Sequence, residues 1–64
     1  MAGWDFRSFV GRKIKIIFDD GSKNGYREAI LVNIDEKLNS IIIEDSKKIE
    51  VIPIDRIIRV EVSK

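Results

Sequence analysis

The chain has 64 residues, 44% hydrophobic and 36% charged, and its twelve Lys and Arg against eleven Asp and Glu leave a net charge of +1. Cysteine and histidine are both absent, which excludes disulfides, thiolate nucleophiles, imidazole bases and the common zinc and iron centres. The near-neutral balance excludes a protein that coats duplex DNA through its phosphates.

At this length the expectation is one domain over residues 1–64. A domain so small buries only about 60% of the surface its unfolded chain exposes, which leaves subunit association as the available way to add stability. Thirteen isoleucines, three Asn and no Gln give a composition like that of thermophile proteins. No apolar run approaches a membrane span, and the opening MAGWDFRSF lacks the basic region and apolar core of a secretory signal, so the expected location is cytoplasmic.

Up to Gly11, the residues Trp4, Phe6, Phe9 and Val10 bring apolar groups to spacings of three and four. That pattern predicts one or two turns of amphipathic helix with Gly11 at the exit. From Arg12 to Phe18 the period becomes two, with Ile14, Ile16 and Phe18 on one face and Lys13, Lys15 and Ile17 on the other, as in a strand. Asp19 to Gly25 then gathers turn formers into a hairpin connection. The neighbouring carboxylates of Asp19 and Asp20 read as hairpin chemistry, not as metal ligands or an acid/base pair.

Tyr26 to Asp35 reads as a second strand, with Ile30, Val32 and Ile34 towards the core and Ala29, Leu31 and Asn33 on the opposite face. A polar bend of the form Asp-x-x-hydrophobic-Asn follows, made by Asp35, Leu38 and Asn39, whose side chains can hydrogen-bond their own backbone. Ser40 to Asp45 forms a third strand, Ser46-Lys47-Lys48 a tight turn and Ile49 to Pro53 a fourth strand. Pro53 lacks a ladder donor and belongs at an edge, bulge or corner. One turn over Ile54-Asp55-Arg56 leads into a last strand from Ile57 to Val62. Five short strands at this spacing predict an all-β fold, a small five-stranded antiparallel barrel with a short N-terminal helix.

The aliphatic content exceeds what the inner faces of such a barrel need. Ile17, Leu31, Ile42, Ile52 and the neighbours Ile57 and Ile58 fall opposite the expected core and form the candidate subunit interface of a homo-oligomer.

Gly11 before the first strand, Gly21 in the following turn, the small Ala29 in the second strand and the Asp35, Leu38, Asn39 bend resemble, in that order, the landmarks of the Sm-like (LSm) family of small barrels. The line LVNIDEKLNSIIIED looks close to that family's second and third strands, and the resemblance runs from Trp4 to Val62. It implies an Sm-like, SH3-like barrel that assembles edge to edge, as a ring, and binds single-stranded RNA at an inner rim. There the family uses a stacking residue two after the Asp, the Asn itself, and an Arg-Gly pair before the last strand. Lys37 takes the stacking position and Asn39 the base-edge position, whereas Pro53 and Ile54 stand where Arg and Gly are expected. Ala29 stands in place of the usual Gly, and the segment from Gly21 to Ala29 is longer than typical.

The candidate RNA-binding set is therefore Asp35, Lys37 and Asn39 in the bend, with Arg12, Lys13 and Lys15 on the first strand and Lys47 and Lys48 in the later turn. Trp4 and Tyr26 are the aromatic platforms on which bases could stack. The alternative is a protein-interaction or structural scaffold module that joins through its edge strands without nucleic acid. Catalysis, a cofactor and a metal are not expected: carboxylates such as Asp35 and Asp55 need a pocket to act from, and a barrel this small has little room for one.

Overall fold

The structure is a computed structural model that describes residues 6–62. A short 3-10 helix over Phe6–Phe9 precedes strand β1 (Lys13–Asp19), followed by β2 (Asn24–Asp35), β3 (Ser40–Glu44) and β4 (Ile49–Pro53). A 3-10 turn over Ile54–Arg56 then leads into β5 (Ile57–Val62). Among the described residues the expected helical start is a single tight turn, and Gly11 at its exit has φ +92°, the left-handed region that ends a helix and that glycine tolerates. Trp4 lies outside the described residues. No helix among them is long and apolar enough to cross a membrane.

All strand pairs are antiparallel, in the order β4-β3-β2-β1-β5. The sheet does not close into the expected barrel, because no ladder joins β4 to β5. The hydrogen-bond phase shows which residues line each open edge. Asp20 N–H donates to Lys23 O (2.9 Å) and Leu31 N–H to Arg12 O (3.0 Å). Bonded pairs alternate in an antiparallel ladder, so Ile14, Ile16 and Phe18 bond to β2, while Lys15 and Ile17 are left to bond to β5. At the other side Asp45 N–H donates to Lys48 O (3.0 Å) and Ile54 N–H to Asn39 O (2.8 Å). The same alternation points the backbone groups of Ile49 and Val51 out of the sheet at the β4 edge, and those of Val60 and Val62 out at the β5 edge. Ile49 and Val51 carry outward side chains, whereas Val60 and Val62 pack against the core.

One face of the sheet buries Ile14, Ile16, Phe18, Ala29, Leu31, Ile41, Ile43 and Ile52, with Phe9, Ile34, Ile54 and Ile57 packed around them. Two expectations are corrected here. Leu31 and Ile52, placed on the outer face by the sequence pattern, belong to the core, while Ile30 and Val32, placed inside, are 41% and 40% exposed. Ala29 sits opposite Ile14 in the β1–β2 ladder, and cross-strand partners share a face, so β2 turns Ala29 and Leu31 inward. The ladder then skips Val32, with Leu31 opposite Ile43 and Asn33 opposite Ile42. This bulge returns Ile34 to the core. Ile52 is carried inward by its partner Ile41.

Among the other interface candidates, Ile57 also packs on the core, and Ile17 and Ile42 are half-buried. Ile58 is 58% exposed because it is the residue skipped where Ile17 pairs with Arg59 and Phe18 with Ile57. Gly25, opposite Phe18, is required by close approach: a Cβ there would come within 2.5 Å of the Phe18 ring.

Leu31→Ala is expected to cost about 2–5 kcal/mol in urea denaturation, and Ile58→Ala to stay within about 0.5 kcal/mol. Equal costs at the two positions would contradict the assignment of faces.

Candidate functional site

The bend between β2 and β3 forms from its own residues. Asp35 Oδ1 accepts from the Lys37 N–H (3.0 Å) and the Leu38 N–H (3.2 Å), an Asx turn of the kind short carboxylates favour. Asn39 then reverses the chain at φ +51°, a conformation that Asn tolerates better than most residues. Its amide Nδ2 donates to Asp55 Oδ1 (2.9 Å) and its carbonyl accepts from the Ile54 N–H (2.8 Å). Both contacts tie the bend to the 3-10 turn before β5. Ser40, buried at the start of β3, closes the unit by donating from Oγ to Leu38 O (3.0 Å).

The same device recurs at the other two hairpins. Asp19 Oδ1 accepts from the Gly21 N–H (2.9 Å), and Asp45 Oδ1 accepts from the N–H groups of Lys47 (2.8 Å) and Lys48 (3.0 Å). Those two backbone donors hold the Asp45 carboxyl below its ordinary value of 3.8. Three of the carboxylates are therefore committed to turn formation. Among the described residues no group of three or more Asp and Glu is arranged to hold a metal ion.

Of the candidate RNA-binding residues, Asp35, Lys37 and Asn39 share this bend, where Lys37 and Leu38 are exposed. The Lys37 ammonium has no hydrogen bond or ion pair among the described residues. Arg12 reaches the same end of the sheet, where its carbonyl accepts from Leu31. Lys13 is paired to Glu28 (3.3 Å), and Lys15 stands between Glu28 and Glu61 in the two neighbouring ladders. Tyr26 lies opposite Ile17, about 30 Å along β2 from Asp35 at about 3.3 Å per residue. Lys47 and Lys48 occupy the β3–β4 turn, at the end of β3 away from the bend. The bend itself is flanked by Asp55 and by Glu36, which pairs with Arg7. Among the described residues the cations do not converge into one basic path.

A second feature escaped the sequence pattern. A cleft of about 330 Å³ opens between the end of β1 and the edge of β4, with Phe18 and Ile52 as its apolar walls and Arg56 at its rim. Across it, Arg27 Nε donates to Glu50 Oε1 (2.8 Å) and its Nη1 to Tyr26 O (2.8 Å), with the guanidinium 5.4 Å from the centre of the Phe18 ring, a cation–π distance. The sequence carried no usable signal for it, since the ladders fix the phase of β2 and β4. Arg27 precedes Ala29 by two residues and Glu50 precedes Ile52 by two, so both charges stand on the inward side of their strands. An inward charge on an edge strand is one way proteins discourage promiscuous pairing. No protein-family model, curated protein or solved structure matches the chain.

Asn39→Ala is expected to cost about 1–2 kcal/mol, because it loses both a tolerated left-handed residue and the bond to Asp55. Asn39→Gly should cost less, since glycine accepts φ +51° freely. For Asp45 the folded pKa lies below the unfolded one, so the group adds stability above pH 3.8 that is lost as pH falls through the folded value. The stability gap between the wild type and Asp45→Asn, measured by urea denaturation across pH 2–6, should therefore narrow towards the acid end.

Proposed function

We propose that this chain is a small β-sheet interaction module that assembles with copies of itself through an open sheet edge and does no chemistry of its own. The observation that carries this reading is an apolar strip on the outer face beside the β4 edge. Ile49 and Val51 are 64% and 53% exposed. Val51 stands opposite Ile42, and Ile42 opposite Asn33 next to the bulged Val32. Ile30 lies on the same face of β2, with Glu44 between it and Ile49. Aliphatic side chains scattered singly over a surface need no explanation, whereas a cluster such as Val51 and Ile42 with Ile49 beside an unpaired strand marks a protein contact. Covering it would also supply burial that a 64-residue domain lacks. An Sm-like oligomer is compatible with this reading, as an open sheet whose edges are completed by neighbouring subunits. Its Asp-x-x-hydrophobic-Asn signature fits the Asx turn of Asp35 and the left-handed Asn39.

A second reading, single-stranded RNA binding, is favoured by the unpaired Lys37 ammonium and the exposed Leu38 beside Asn39 at the bend. Against it stand the acids around the bend and the lack, among the described residues, of an aromatic platform there, since base stacking supplies much of the affinity in such sites.

The two readings separate in one pair of measurements. Native mass spectrometry, with the ratio of absorbance at 260 and 280 nm recorded before nuclease treatment, should show an oligomer free of nucleic acid. Fluorescence anisotropy with a single-stranded oligouridine at fixed salt should show binding that Lys37→Glu leaves unchanged. Co-purifying nucleic acid, or a tenfold loss of affinity in Lys37→Glu, would transfer the assignment to RNA.

A further inference from the structure

We infer that the β4 edge pairs with β4 of a second copy, antiparallel, about a two-fold axis at Glu50; this rests on the interaction-module reading and specifies its surface, partner and register. The backbone groups of Ile49 and Val51 point out of the sheet, as the ladder alternation requires. A second β4 centred on Glu50 bonds Ile49 to Val51 of the partner subunit and Val51 to Ile49 of the partner subunit, and all four N–H groups find carbonyls. Pro53 disfavours the alternative register centred on Val51. Centring on Val51 would set Ile49 opposite Pro53 of the partner subunit, and proline has no N–H to donate.

The side chains agree with the backbone. A two-fold axis perpendicular to the sheet keeps the outer faces on one side, so the exposed Ile49 and Val51 meet their counterparts in apolar cross-strand pairs. The strip through Ile42 and Val32 becomes continuous across both subunits. On the inner face the two Glu50 carboxylates stand opposite each other, an arrangement that isolated acids would oppose. Each is already held by Arg27 at 2.8 Å and Lys48 at 3.7 Å, so four cations surround two anions. Room exists as well, since the cleft runs beside the β4 edge from Glu50 to Pro53.

The β5 edge is a poorer partner for β4. Its outward groups belong to Val60 and Val62, whose side chains fill their own core. Its outer face carries the Arg59–Glu61 ion pair (2.9 Å), which would face the apolar strip. A symmetric, self-complementary contact of this kind closes on itself as a dimer.

The chain has no cysteine, so a single introduced thiol reports one position. Only the residue on the axis meets its own copy, at a Cα separation of about 4.5 Å in a non-bonded pair, within disulfide range. Glu50→Cys should give a disulfide-linked dimer under mild oxidation and Ile58→Cys should not. Val51→Lys should raise the dimer dissociation constant at least tenfold by native mass spectrometry while leaving the far-ultraviolet circular dichroism unchanged. An oligomer that survives Val51→Lys, or that cross-links through Ile58→Cys instead, would overturn the β4 inference and leave the interaction module standing. A wild-type chain that is monomeric at every concentration would overturn both. Should Glu50→Cys fail to fold without its Arg27 partner, the Val51→Lys measurement decides alone.

Discussion

The β1–β2 ladder is the constraint on which the rest of this molecule depends. Ile14 opposite Ala29, Ile16 opposite Arg27 and Phe18 opposite Gly25 define which side of the sheet is inward, and each further strand inherits that choice from its neighbour. Leu31 follows Ala29 inward, Ile43 follows Leu31, and Ile52 follows Ile41. A one-residue slip would expose the whole set, since side chains alternate strictly along a strand. The ladder also fixes the inner end of the core. The Phe18 ring lies over Gly25, and Arg27 covers the ring from above while anchored on Glu50. Apolar packing and a partly buried ion pair thus meet at one place.

Turn chemistry secures the register from outside. Each of the three hairpin connections opens with an Asp whose carboxylate satisfies backbone N–H groups of the following residues, so the reversal is encoded within four residues and needs no help from the core. The β2–β3 bend does more than reverse the chain. Through Asn39 it holds Asp55 and Ile54, and so delivers the chain from β4 on one side of the sheet to β5 on the other. Asn39 is thereby part of the fold, whatever else meets the bend.

The two edges left by an odd number of antiparallel strands differ in character. The β5 edge carries ion-paired charge outside and core side chains inside, whereas the β4 edge carries Ile49 and Val51 outside, bounded by Lys48 at one end and Pro53 at the other. Lysine and proline are devices that blunt an edge, and here they bracket a short apolar segment without covering it. That combination suits a contact of limited length and defined register better than open-ended aggregation.

Much of this was legible in the residues alone. The five strands, the turn before β5, the Asp35–Asn39 bend and the inward face of β1 follow from alternation and turn formers, which are local properties. The face of β2 was not legible, because Ala29 to Ile34 is apolar at five of six positions and no periodicity distinguishes its sides. Only pairing with β1 and the bulge at Val32 decide it. Ile52 was misplaced for the same reason. Tertiary structure alone likewise separated the candidate cations along the sheet, brought Arg27 of β2 to Glu50 of β4 and left the sheet open. Sequence determines what depends on neighbours a few residues away. Which side a wholly apolar strand turns inward, and which edges remain unpaired, depend on partners distant in the chain.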